Sequence, residues 1–159
     1  MKNIDIISLY QAIQNCGSLV GAKFAYALSK NADKLKVEIK ALEEAIKFSK
    51  EYVVYDAERV ELAKKFSKKD SKGEPVTIPT GSTTFDYDIE DQAGFDAEFK
   101  VLKGKNKELI TKREKQVEEY LALLKEGAEK IKFHMVNIKD VPENITAAQL
   151  GGISIFITE

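Results

Sequence analysis

The chain has little of the chemistry on which most catalytic and metal sites depend. Its 159 residues include one cysteine, one histidine, three prolines and no tryptophan. One cysteine cannot close an internal disulfide, and one cysteine with one histidine cannot build a zinc site from these ligands. No apolar run approaches the ~18 residues that a membrane-spanning helix needs. These absences argue against a disulfide-stabilised fold, a Cys/His zinc site and a transmembrane segment.

Charge is abundant but balanced, with 25 basic against 26 acidic residues and a net charge of −1. Arg59 and Arg113 are the only arginines, the side chain that best recognises phosphate and guanine edges. Both observations argue against a nucleic-acid partner and against attraction to an anionic membrane. The N-terminus has no secretory pattern, so we expect a reducing cytoplasm in which Cys16 is an ordinary apolar residue.

Two long stretches have the periodicity of helices. Residues 23–68 lack glycine and proline. Their heptad positions recur at alternating intervals of four and three residues, which predicts one long helix. Such a helix needs a partner, and residues 91–130 supply a second helical pattern. Gly104 leaves this second helix either continuous, which we favour, or divided in two. The heptad positions are Leu28, Ala32, Leu35, Ile39, Leu42, Ile46, Ser49, Val53, Asp56, Val60 and Ala63.

Residues 73–90 lie between the two helices and predict a β-hairpin. Strands are expected at residues 76–78 and 83–89, around a turn at residues 79–82. In the second strand aromatic and aliphatic residues alternate with acidic ones, which predicts one apolar and one acidic face.

The two ends of the chain predict smaller elements. Asn3 or Asp5 can cap a short helix that ends near Gly17. Residues 131–135 alternate as in a strand, Thr146 can cap a short helix, and residues 153–157 suit strand or helix, with strand favoured. The fold class is therefore predicted as mainly α with small β (α+β), a long antiparallel helical hairpin or coiled coil with a β-hairpin at its tip. We expect a single domain over residues 1–159, with residues 131–159 as a small C-terminal element.

Candidates for catalysis are few. His134 lies in a strand-like pattern without an evident nucleophile or orienting acid, and Cys16 lies at the end of a helix that does not stabilise a thiolate. The acidic residues after Phe85 lack the glycine and the glutamate of a calcium loop. We therefore expect no catalytic residue, no metal site and no cofactor, and a protein that is not an enzyme.

Charged blocks around the hairpin suggest a protein-binding tip. Lysines precede and follow the acidic hairpin, so the acidic residues either neutralise these lysines, which we favour, or present a charged face to a partner. The tip residues are Lys68, Lys69, Phe85, Asp86, Tyr87, Asp88, Glu90 and Asp91. Aromatic residues off the heptad seam either mediate self-association into a homo-oligomer or pack under the terminal elements. These aromatic residues are Phe48, Tyr52, Tyr55 and Phe66.

Two stretches carry a resemblance to a known family. Residues 24–35 (FAYALSKNADKL) run into a charged helix, and residues 136–150 (VNIKDVPENITAAQL) lead to an apolar end. Their order, together with an acidic-aromatic segment at Phe95 to Glu98, resembles a family of small uncharacterised bacteriophage proteins from phages of low-GC bacteria. The resemblance covers about half of the chain. The second predicted helix of this chain is longer than in that family.

The resemblance implies a viral origin and brings no catalytic residues with it. Together with the predicted tip, it leads us to expect a non-enzymatic interaction protein, a coiled-coil virion component or assembly adaptor. The alternative is a phage-encoded inhibitor that binds a host defence protein. The expected partner is a phage structural or host protein, and the expected location is the host cytoplasm or the virion.

Overall fold

The computed structural model describes residues 1–128 and 131–159. In these residues the chain forms six α-helices, two small two-stranded sheets and two 3₁₀ turns, which confirms a mainly α fold with small β. The elements are α1 (Asn3–Asn15), α2 (Ala22–Ile46), α3 (Lys50–Phe66), β1 (Thr77–Pro79), β2 (Phe85–Tyr87), α4 (Gln92–Lys105), α5 (Lys107–Leu123), β3 (Val136–Asn137), α6 (Ala147–Gly152) and β4 (Ile157–Thr158).

The contacts divide the chain into two compact units. Unit 1 comprises Met1–Lys47 with Val117–Glu159, and unit 2 comprises Phe48–Gln116. That residues 1–159 form a single domain stays a prediction.

Unit 1 is built on α1 and α2, which pack against each other, with α6 against α1 and the parallel pair β3–β4 completing the core. The predicted first helix forms with Lys2 rather than Asn3 or Asp5 at its N-cap, and Asp5 in its first turn accepts a hydrogen bond from the Lys2 amide at 2.7 Å. Thr146 Oγ1 accepts from the Gln149 amide at 3.2 Å and caps α6, as predicted. The most deeply buried apolar side chains are Ile6, Cys16, Phe24, Leu35, Ile153 and Phe156.

Unit 2 is a helical hairpin. Phe66 at the end of α3 packs on Phe95 at the start of α4, with ring centroids 6.3 Å apart. At the other end of α3, the Arg113 guanidinium of α5 lies 5.7 Å from the Tyr52 ring. Tyr52 near the start of α3 contacts the later helix α5, and Phe66 at the end of α3 contacts the start of the earlier helix α4. α3 therefore runs antiparallel to α4 and to the first turns of α5. The β1–β2 hairpin lies in the connection between α3 and α4.

The predicted helix over residues 23–68 is wrong as a single element, because α2 ends at Ile46 and α3 begins at Lys50. Ser49 causes the division: its Oγ accepts a hydrogen bond from the Tyr52 amide at 3.2 Å and caps α3. The predicted seam holds in α2, where Leu28, Ala32, Leu35 and Leu42 are buried. It fails in α3, where Val53 is 54% exposed.

The second predicted helix, over residues 91–130, is also divided, at Asn106 rather than at Gly104. The Asn106 side chain donates to the Leu102 carbonyl at 3.0 Å, and its own amide is shared between the carbonyls of Leu102 and Lys103. A side chain that competes for helix carbonyls tightens the turn and separates α4 from α5. α5 ends at Leu123, and the last two residues of the prediction, 129 and 130, lie outside the described residues.

The C-terminal strands differ from the prediction. Residues 131–135 form no strand, and the pairing residues are instead Val136 and Asn137, opposite Ile157 and Thr158. Residues 154–156, for which a strand was favoured, form a 3₁₀ turn. Period-two spacing favoured a strand at both places, but burial of Ile153 and Phe156 in the core of unit 1 is compatible with a tight turn as well.

Candidate functional site

The β-hairpin of unit 2 is held by backbone hydrogen bonds at its base and its turn. β1 and β2 pair antiparallel in the register Thr77–Tyr87, Ile78–Asp86 and Pro79–Phe85, close to the predicted strands. At the turn the Thr80 amide donates to the Thr84 carbonyl at 3.0 Å. A Cβ at Gly81 would lie 2.5 Å from Thr84 Oγ1, so a larger residue at this position would require the Thr84 side chain to move.

The chain that leaves α3 lies along the base of the hairpin. The Lys68 amide donates to the Asp88 carbonyl at 2.8 Å, and the Glu90 amide donates to the Phe66 carbonyl at 2.8 Å. The Val76 amide completes this set by donating to the Lys68 carbonyl at 2.9 Å. These bonds fix β1 and β2 to the end of the helical hairpin, so the tip is a defined surface.

Two of the lysines that precede the hairpin, Lys65 and Lys68, are paired with acidic side chains. Lys68 Nζ lies 2.8 Å from Asp88 Oδ2, and this hydrogen bond raises the pKa of Lys68, with Glu90 a weaker contributor. Lys65 pairs with Glu98 of α4 at 2.6 Å. Lys69 Nζ donates instead to the Lys64 carbonyl at 2.6 Å. Asp88 thus fits the interpretation that we favoured from the sequence, in which the acidic hairpin neutralises neighbouring lysines.

Two acidic residues of the tip behave differently. In the part of the chain that the structure describes, Asp86 and Glu90 form no ion pair. Asp91 has a structural role, since its Oδ1 accepts from the Gly94 amide at 2.9 Å and caps α4. The tip therefore has carboxylates in three different situations: one paired, one capping a helix, and two exposed to solvent.

A cleft of about 500 Å³ opens between α3, the hairpin and the start of α4. Its apolar lining consists of Val60, Ala63, Ile78, Phe85, Ile89 and Phe95. Phe85 is 59% exposed and Ile78 is 46% exposed, so both present apolar surface to solvent. The polar lining is Arg59, Asp86 and Tyr87. Arg59 Nε bonds Asp56 at 2.9 Å, so its charge is already compensated.

The structure adds residues that the sequence analysis did not assign to the tip. Ile78 lies directly across from Asp86 in the strand register, so the side of the hairpin predicted as acidic also carries an apolar residue. Arg59, Val60 and Ala63 come from α3 and reach the tip because that helix folds back along α4. An antiparallel arrangement of the helices was expected from the sequence, but the strand register that places Ile78 across from Asp86 depends on long-range pairing and was not.

The four aromatic residues predicted for self-association occupy different environments within unit 2. Phe48 is 51% exposed and stacks on Tyr52 with centroids 5.2 Å apart, while the Arg113 guanidinium lies 4.3 Å from the Phe48 ring. Tyr55 is buried, and desolvation raises the pKa of its phenol. Phe66 is half-buried and packs on Phe95. Self-association through these residues stays a prediction.

The two sequence candidates for catalysis, Cys16 and His134, belong to unit 1. Cys16 is buried, and desolvation raises the pKa of its thiol, which opposes formation of the nucleophilic thiolate. His134 is half-buried and lies edge-on to Tyr26, with centroids 6.2 Å apart. Its backbone bonds to the buried Asn31 side chain, a contact that sequence analysis missed.

Residues 1–128 and 131–159 contain neither a cluster of metal ligands nor a membrane-spanning helix. No group of three or more His, Cys, Asp or Glu side chains in these residues is arranged to hold a metal ion. None of the helices found there combines the length and the apolar character needed to cross a lipid bilayer.

Comparison with protein-family models, with curated proteins and with solved structures finds no match for this chain. The chain's own surface combines exposed apolar and charged side chains at the hairpin and its cleft.

Proposed function

We propose that the chain is a non-enzymatic interaction protein whose binding surface is the tip of unit 2. The observation that carries the proposal is the cleft beside the hairpin, where exposed Phe85 and Ile78 lie next to the unpaired carboxylate of Asp86. Exposed aromatic and aliphatic side chains next to exposed charge are typical of protein-binding surfaces.

The resemblance to bacteriophage proteins supplies the setting of the proposal. A virion component or assembly adaptor, with coiled-coil packing against its partner, would be present in particles or in assembly intermediates. Mass spectrometry of purified particles and of intermediates separated by density is the test, with the chain expected at a reproducible copy number. Absence from both fractions would rule out this role.

A second candidate is an inhibitor of a host defence protein, located in the host cytoplasm. The acidic hairpin favours it, because residues 73–90 contain four carboxylates and no lysine or arginine. A surface of one charge sign can dock on an oppositely charged host enzyme without any chemistry of its own. Retention of one stoichiometric host protein by the wild-type chain, lost with Phe85→Ala, would favour the inhibitor over the adaptor.

A further inference from the structure

The tip cleft has a size and lining that suit a short peptide segment. Its volume of about 500 Å³ lies within the ~300–1,000 Å³ typical of small ligand-binding clefts. Most of the lining is apolar, and two apolar side chains, Phe85 and Ile78, are about half exposed. An occupant that buries these two side chains must itself offer apolar surface to them.

The hairpin carries charge of one sign, whereas the cleft beside it is lined by one carboxylate, Asp86, and one cation, Arg59. The hairpin carries Glu74, Asp86, Asp88 and Glu90 and no basic residue. Lys68 compensates Asp88. Among the described residues, the other three hairpin carboxylates have no ion-pair partner. Of these carboxylates only Asp86 lines the cleft, so an occupant meets one unpaired carboxylate next to an apolar surface.

Lys69 has no acidic partner among the described residues, but it does not line the cleft, and its Nζ donates to the Lys64 carbonyl at 2.6 Å. Arg59 lines the cleft, but its Nε bonds Asp56 at 2.9 Å. Lys64 and Lys65 pair with Glu61 and Glu98, both at 2.6 Å. An acidic occupant would have to displace one of these partners, whereas a basic occupant finds Asp86 unpaired.

We propose that the tip cleft binds a peptide segment of a partner protein in which a lysine or arginine lies next to an apolar side chain. The apolar side chain packs on Phe85, and the cation bonds the Asp86 carboxylate. This assignment rests on the proposed function and specifies the chemistry of the partner. Because Asp86 is exposed, its attraction to the cation is weakened by salt, so binding decreases as ionic strength rises.

The probe is a displayed library of random peptides of about twelve residues, selected against the folded full-length chain. Enriched sequences are expected to carry Lys or Arg within two positions of an aromatic or branched aliphatic residue. One enriched peptide is then synthesised and titrated against variants. Phe85→Ala should weaken its binding about thirty-fold, as loss of a central apolar contact does. Asp86→Asn should weaken binding about five-fold.

Two matched variants control for charge. Glu43→Gln removes one carboxylate from the exposed face of α2 in unit 1 and should leave binding unchanged. Arg59→Gln removes the cation of the cleft and should leave binding equal or stronger. Circular dichroism checks that each variant is folded, and Asp86→Asn keeps the test decisive if Phe85→Ala loosens the hairpin.

The outcomes separate this inference from the proposed function. Peptides that depend on Phe85 but carry acidic residues and lose affinity with Arg59→Gln would overturn the basic occupant and leave the tip as a binding site. Self-association of the chain that is lost with Phe85→Ala would assign the cleft to a second copy. Failure to enrich any peptide that depends on Phe85 would overturn both the occupant and the tip.

Discussion

Asn31 is a polar side chain buried completely in the core of unit 1. Its carboxamide bonds both polar groups of the His134 backbone, accepting from the amide at 2.7 Å and donating to the carbonyl at 2.9 Å. The amide thus acts as one rung of a β-ladder and ties an irregular segment to α2. A buried polar group with both bonds made is structurally specific, because no apolar residue can replace it.

We expect Asn31→Ala to lower the free energy of unfolding by about 2–4 kcal/mol, since two backbone groups at His134 lose their partner. Urea denaturation followed by circular dichroism measures the change. Ser29→Ala, at an exposed position two residues earlier on α2, is the control and should change stability by less than about 0.5 kcal/mol. Equal midpoints for Asn31→Ala and wild type would contradict the role assigned to this amide.

Cys16 should be inert in the folded chain. Burial raises the pKa of its thiol and also blocks access, so reaction with a maleimide at pH 8 is expected to be at least about a hundred-fold slower than in urea. Labelling followed by intact mass spectrometry gives both rates. Fast labelling of the folded chain would show that the thiol is accessible and would reopen its candidacy as a nucleophile.

The difference between Cys16 and Asn31 shows what the sequence could predict for single residues. Burial of Cys16 follows from residue type and from an amphipathic helix, both of which are local. The partner of Asn31 is 103 residues away in the chain, and an asparagine among lysines in α2 suggests a solvent-exposed position. The pairing depends on tertiary packing, which local pattern does not contain.

At the scale of elements, helix boundaries depend on single polar residues. Ser49 and Asn106 each occupy a position where apolar periodicity continues, and each divides a predicted helix in two. Elements defined by local signals agree with the prediction. These are α1, the β1–β2 hairpin and α6, where caps and turn residues lie next to the pattern they end.

Replacing Ser49 with alanine should destabilise α3 by about 1 kcal/mol, because the Tyr52 amide loses its hydrogen-bond acceptor. Urea denaturation of Ser49→Ala measures this loss, and Ser29→Ala serves again as the comparison. A variant as stable as wild type would mean that α2 and α3 are separated by some other cause.

The stability of Ser49→Ala relative to wild type should also depend on pH. The pKa of Glu51 is held below its ordinary value by hydrogen bonds from the Glu51 backbone amide and from the Ser49 side chain. A carboxyl group whose pKa is lowered by folding stabilises the fold at pH values above its ordinary pKa. This contribution is lost as the pH falls through the lowered pKa. The difference in stability between Ser49→Ala and wild type should therefore shrink in acid. Titrating the Glu51 carboxyl by NMR should also show a higher pKa in the variant.

For the whole molecule, near-neutral net charge conceals a segregated distribution. The carboxylates of the hairpin and the lysines of α4 lie in separate segments, so the overall count of 25 against 26 does not describe either surface. The count of charged residues alone argued against nucleic acid and anionic membranes as partners. The sign of the charge at the cleft depends on which carboxylates are paired, and only the packed structure determines that.

Self-association is predicted for the intact chain, with exposed Phe48 as its most accessible aromatic contact. The sedimentation coefficient should rise with concentration, and Phe48→Ser should weaken association about ten-fold. Tyr26→Ser removes an aromatic side chain that is 60% exposed in unit 1 and provides the control. A coefficient that stays at the value of the 17.8 kDa monomer over a hundred-fold range of concentration would contradict self-association.

The bond between Asn31 and His134 also has a consequence for deuterium exchange. Residues 131–135 belong to no helix or strand, and amides in such segments usually exchange within seconds to minutes. The His134 amide is the exception, since its acceptor is fully buried. Its exchange requires α2 and this segment to separate, so one slow amide in an otherwise fast stretch reports how often the core of unit 1 opens.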